Sequence, residues 1–107
     1  MGFVYLIGEA STPNLFKIGS TRKKDINDRM RQLQTGNPDE LYLSRCFETD
    51  EPFKVEHNLH FVLGEENFHG EWFSVEDGFE DRFMDLCEKA QIMVDSLREN
   101  PFFKKSD

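Results

Sequence analysis

Positive charge is scarce in this chain. Of 107 residues, 13 are Lys or Arg and 21 are Asp or Glu, a formal net charge of -8 at pH 7. A protein that held nucleic acid by nonspecific attraction to phosphate would carry the opposite excess, because such binding is driven by counterion release to basic side chains. Cysteine is scarce too. Cys46 and Cys87 are the only two, and they form no redox or metal-binding spacing, so both are expected to be reduced, buried thiols in a reducing cytoplasm. No run approaches the roughly 18 continuous apolar residues of a membrane span, and the N-terminus has no basic stretch leading into an apolar run and cleavage site. We therefore expect a soluble, cytoplasmic protein that is not secreted and does not associate with membranes. Internal repeats, linkers and low-complexity tracts are also missing.

What is present is aromatic carbon. The chain is 37% hydrophobic and 13% aromatic, with eleven Phe, and bulky rings fill the core of a small domain efficiently. This length and composition suit a single domain over residues 1–100 and a short tail, 101–107, that begins at Pro101. Charge is divided along the chain. From Lys17 to Arg31 six basic residues (Lys17, Arg22, Lys23, Lys24, Arg29, Arg31) face two acids, whereas from Glu48 to Glu71 seven acids face Lys54 alone. One cationic wall on an acidic molecule is the expected result, with Arg22, Lys23, Lys24 and Arg31 as candidate phosphate contacts.

The patterning predicts alternating strands and helices. Phe3 to Ile7 is β-branched and aromatic, Gly8 to Asn14 is turn-rich, and Leu15 to Ile18 is apolar again, which reads as a β-hairpin. Ile26, Met30 and Leu33 mark a short amphipathic helix from about Lys24 to Gln34, closed by Thr35-Gly36-Asn37-Pro38 with a glycine C-cap signal. Leu41 to Phe47 offers a third strand. Thr49-Asp50-Glu51-Pro52 opens a second helix whose apolar stripe is Val55, Leu59 and Val62, with Glu56 and His60 four residues apart beside it. His69 to Val75 predicts a turn into a brief strand. Asp77 is a candidate cap for a third helix to about Glu99, with Phe79, Phe83, Leu86, Ala90, Met93 and Leu97 as its stripe. That stripe is expected to pack on the sheet, with a homodimer or another protein partner through this C-terminal helix as the alternative.

Phe3-Val4-Tyr5, then Lys17-Ile18-Gly19, then Arg29 and Glu56, form an ordered set that resembles the GIY-YIG endonuclease superfamily. Lys17-Ile18-Gly19-Ser20-Thr21, Thr35-Gly36-Asn37-Pro38, Glu56 with Leu59-His60, and Gly70-Glu71-Trp72-Phe73 resemble, more narrowly, a compact branch common in phage and viral proteins, across roughly the first 75 residues. The resemblance implies an α/β (α+β) fold, a small three-stranded antiparallel sheet flanked by helices, and metal-dependent hydrolysis of nucleic acid, with DNA favoured over RNA. It implies Tyr5 as general base, Lys17 as the cation that activates it, Arg29 on the phosphoryl oxygens, and Glu56 as the ligand of Mg2+ or Mn2+. The superfamily's later asparagine has only Asn58 and Asn67 as unplaced candidates.

The chemistry is consistent with those posts. An ordinary phenol has a pKa of about 10 and needs a nearby cation to act as a base; a guanidinium can grip two phosphate oxygens; a carboxylate suits a hard divalent ion. His60 is a candidate to orient water, assist proton transfer or join Glu56 at the metal, with a structural histidine hydrogen-bonded at the helix edge as the alternative. His57 and His69 read as surface or turn residues, and Trp72 reads as packing, with the role of Glu71 left open. The alternative function is a catalytically inactive module of the same fold, acting by protein interaction or nucleic-acid mimicry.

Overall fold

The computed structural model describes residues 1–64, 68–69 and 72–99. The turn expected at 70–71, Glu71, Asn67 and the tail 101–107 lie outside them, as does the side chain of His69. Along the chain run β1 (Gly2–Glu9), β2 (Thr12–Thr21), α1 (Ile26–Thr35), β3 (Leu41–Thr49), α2 (Pro52–Leu63), β4 (Phe68–His69), β5 (Trp72–Ser74) and α3 (Phe79–Glu99). The expected antiparallel trio is present as β3-β1-β2, and the short β5 and β4 extend it to the order β3-β1-β2-β5-β4.

The first hairpin is tighter than its composition suggests. Only Ala10 and Ser11 separate the strands, and Glu9 Oε1 accepts hydrogen bonds from the backbone N–H (2.9 Å) and hydroxyl of Ser11. These bonds, the hydroxyl one first, hold the Glu9 carboxyl below the usual carboxylate range. Pro13 and Asn14, expected in the turn, belong to β2. They sit where the register jumps from Gly8↔Phe16 to Glu9↔Thr12, and Asn14 takes φ 60. Such a bulge tolerates a proline with no N–H to donate and an Asn in the left-handed region.

Residue parity sorts the sheet's two faces. Val4, Leu6, Phe16 and Ile18 turn toward α2 and α3, and with Val55, Leu59, Phe73, Phe79, Phe83, Cys87, Ala90 and Val94 they form the core. Phe79 anchors one end by packing edge-on against Phe73, ring centroids 5.6 Å apart. Tyr5 and Ile7 occupy the opposite face, almost wholly buried, on the side of α1. That helix starts from Asp25, whose side chain accepts from the Asn27 N–H at 2.9 Å, and it buries none of its own residues completely. Gly36 caps it with φ -90, so the glycine's left-handed freedom is not used. α2 begins at Pro52, with Thr49 Oγ1 accepting from the Glu51 N–H at 3.0 Å.

The stripe of α3 is phased differently from the sequence reading. Phe79, Phe83 and Ala90 are buried as expected, but Cys87 and Val94 complete the row, while Met93 and Leu97 are 51% and 43% exposed. A period of 3.6 residues over 21 positions rotates a strict four-three stripe off the contact line, and the helix keeps the straight solution. Asp77 does not show a capping bond; its carboxylate accepts from the Asn14 side-chain amide. Burial pushes the Cys87 thiol up to about 12, so it is an inert core group, while Cys46 is half-buried. No described helix is long and apolar enough to cross a membrane.

The corrected phase can be measured. Phe83→Ala should cost about 3–5 kcal/mol of unfolding free energy, whereas Met93→Ala should stay within about 0.5 kcal/mol of the parent, as surface changes do. Urea midpoints with an unchanged slope would report both, and a large loss for Met93→Ala would contradict this placement of α3.

Candidate functional site

Tyr5 and Gly19 are direct cross-strand partners. A Cβ added at position 19 would overlap the Tyr5 ring and its hydroxyl, so the phenol lies flat across β2 only because glycine is there. The same device recurs between β1 and β3, where the Tyr42 ring fills the space over its cross-strand partner Gly8. Arg29 reaches from α1 and donates its Nε–H to the Tyr5 hydroxyl oxygen at 3.2 Å, while its Nη1 donates to Gln32 Oε1 at 3.3 Å. Lys17 pairs with Ile7 and therefore stands on the Tyr5 face, diagonal to it, at a spacing that long side chains bridge.

Glu56 and His60 approach β2 from its other side. Among the described residues β5 pairs with β2 at Leu15, Phe16 and Lys17, and α2 packs on β2 as well. Ser20 donates its hydroxyl to Glu56 Oε1, and His60 Nε2 lies 3.2 Å from Glu56 Oε2. The imidazole also donates to the Ile18 backbone carbonyl. Burial pushes the half-buried Glu56 carboxyl up, but the hydrogen bonds from His60 and Ser20 and the charges of His60 and His57 outweigh it and leave it below the usual range. His60 moves the other way: its bond to Glu56 raises it against the opposing effect of burial, with the carboxylate charge and the Ile18 carbonyl adding to the rise.

Both clusters are thus anchored on three consecutive residues, Ile18, Gly19 and Ser20. With neighbouring Cα atoms 3.80 Å apart, the Tyr5 hydroxyl and the Glu56 carboxylate lie within about a dozen ångströms of each other. They attach to opposite parities of the strand, the phenol on the side of α1 and the carboxylate on the side of α2. Ser20 escaped the sequence reading; the only signal was its place directly after Lys17-Ile18-Gly19. Among the described residues no group of three or more His, Cys, Asp and Glu side chains converges to hold a metal ion. Glu56 alone still fits a hard ion that keeps most of its water, because among the described residues each carboxylate oxygen accepts one bond and retains a lone pair.

The expected cationic wall is only partly realised. Arg22 stacks its guanidinium over the Phe53 ring, 5.0 Å from the centroid, and Arg31 is ion-paired with Asp28 one turn away. Lys23 and Lys24 are exposed and make no ion pair among the described residues. Trp72 is half-buried in β5, consistent with a packing role, and His57 is exposed on α2.

A sheet of this order with a tyrosine–arginine pair on one side of β2 and an acid–imidazole pair on the other defines a small α/β domain with a polar site built around one glycine. Over residues 2–91 the chain matches the T5orf172 domain, and it belongs to that family. Neither the curated proteins nor the solved structures contain a match to it.

Two outcomes follow from this geometry. Gly19→Ala should destabilise the fold by about 1–3 kcal/mol, as overpacking does, and a neutral result in chemical denaturation would contradict the Tyr5 placement. In an NMR titration the His60 ring should titrate above the ordinary histidine value of about 6.5, and Glu56→Gln should return it toward that value. Because the His60 value is raised on folding and that of Glu56 is lowered, the pair's stabilisation is lost as pH rises through the folded His60 value. It is lost again as pH falls through the depressed Glu56 value.

Proposed function

We propose that this protein is a metal-dependent endonuclease of the GIY-YIG type that hydrolyses a phosphodiester bond in nucleic acid. Membership of the T5orf172 domain, a nuclease-associated family, supports the general class. The observation that carries the reading is the gathering of Tyr5, Arg29, Glu56 and His60 on the Ile18–Ser20 stretch of β2.

In this reading Glu56 would hold Mg2+ or Mn2+, with phosphate oxygens and water completing the shell. The ion, when bound, supplies positive charge against the phosphoryl oxygens. Ser20 and His60 keep the carboxylate ionised and aimed. Tyr5, with Lys17 on its face, takes a proton from water as the water oxygen forms a bond to phosphorus and the bond to the leaving oxygen breaks. Arg29 donates to the phenol oxygen and fixes its position. Tyr5 is 1% exposed, and Arg29 lies against its hydroxyl. A substrate phosphate that drew the guanidinium onto its own oxygens would uncover the base at the moment charge builds up on phosphorus. α1, which buries none of its residues fully, is suited to that adjustment.

DNA is the first substrate to test and RNA the second, each in Mg2+, Mn2+ or EDTA. Metal-dependent cutting should vanish in Glu56→Ala and Tyr5→Phe. In Arg29→Ala turnover should fall by roughly 100-fold, with a smaller loss of substrate affinity. Cutting that persists in Glu56→Ala and Tyr5→Phe, or that needs no metal, would refute the assignment.

A further inference from the structure

Phe53 stands on the first turn of α2 with 53% of its surface exposed, a costly position for a ring that could have packed inward. The guanidinium of Arg22 lies over the ring, 5.0 Å from its centroid. At 100° and 1.5 Å per residue, Phe53, Glu56 and His60 fall within about 60° of one another around α2, with Phe53 about 4.5 Å along the axis from Glu56. Arg22 leaves the end of β2 two residues after Ser20, whose hydroxyl holds Glu56. The aromatic–guanidinium pair is therefore tied to the candidate acid from both sides, by one helix and by one strand.

We propose that Phe53 and Arg22 form a stacking platform for an unpaired nucleobase, which seats a nucleotide beside the phosphate that a divalent ion on Glu56 would bind. The proposal rests on the nuclease reading for the phosphate and adds to it the substrate class: a single-stranded or locally unpaired strand. Flat rings and guanidinium planes are surfaces on which bases stack irrespective of sequence. An arginine already lying against the ring adds its own attraction to the incoming π system. The chemistry also suits an acidic chain. Stacking supplies affinity that does not depend on a large basic surface, and Lys23 and Lys24, exposed directly after Arg22, are placed for the adjoining phosphates.

The test measures binding of the full chain in EDTA, where no metal-dependent cleavage occurs, to fluorescein-labelled 16-mers of thymidine, of uridine, of a duplex, and of thymidine with central abasic positions. Phe53→Ala should weaken binding to the unpaired oligonucleotides about tenfold or more and leave the duplex nearly unchanged. Phe53→Trp, which keeps a ring, should restore it; Phe53→Leu, which keeps apolar volume without a π face, should not. Abasic positions should weaken the parent more than they weaken Phe53→Ala. Equal binding by parent and Phe53→Leu, equal losses on duplex and single strand, or no binding by the parent would each overturn the platform. Cleavage by the parent in Mg2+ separates the two claims. Cutting without ring-dependent binding sinks only the platform, and ring-dependent binding without cutting sinks only the nuclease reading.

Discussion

The absent side chain of Gly19 is the constraint on which the site depends. A Cβ there would occupy the volume of the Tyr5 ring, and without that volume the phenol could not lie across β2 and reach Arg29. Close approach of an aromatic ring to a cross-strand glycine also repays the sheet, since the ring covers backbone that glycine would leave open. The flanking residues of opposite parity, Ile18 and Ser20, are then committed to the other side, one to the core and one to Glu56. Three residues of one strand thereby fix a base candidate, a core contact and an acid.

The acidic balance of the chain looks hostile to a polyanion, yet the distribution of ion pairs moderates it. Arg98 bridges Asp50 and Asp95, Lys54 meets Glu51, and Lys89 meets Asp85. These exposed contacts contribute little to stability each, because water and salt screen them. Their effect is on the field around the site: acids flanking α2 and α3 are matched locally, while Lys23 and Lys24 stay exposed at the end of β2. Recognition by a few directed groups and stacking asks less of net charge than nonspecific phosphate binding does.

Much of this was legible in the sequence because local signals and tertiary demands agreed. The hairpin, the short α1 after a basic stretch, the proline at the start of α2 and the partnership of Glu56 with His60 at i and i+4 all follow from spacing. The misses have physical causes. Pro13 and Asn14 read as turn residues, and a bulge accepts them inside a strand for the same conformational reasons that turns do. On α3, Leu86 and Cys87, or Met93 and Val94, are adjacent apolar residues that a one-dimensional stripe cannot rank; the helix's phase against β1 and α2 decides. The brief strand expected within His69–Val75 is β5, whereas the two-residue β4 was not expected and owes its existence to pairing with β5, which no local propensity encodes. Ser20 is a common residue whose meaning lies only in what faces it.

The placement of the acid on α2 rather than on the sheet has a consequence for how the site could work. Glu56 and His60 are half-buried against β2 and are held there by their hydrogen bonds to Ser20 and Ile18. An ionised carboxylate in such a position is tolerable because two donors are fixed before any ligand arrives, which spares reorganisation when charge develops nearby. Tyr5 and Arg29 are poised in the opposite sense: the guanidinium lies on the phenol oxygen, and in the proposed function it stays there until a phosphate oxygen competes for it. One half of the site is thus preorganised and the other is held in reserve, and the boundary between the two halves is the single backbone step from Gly19 to Ser20.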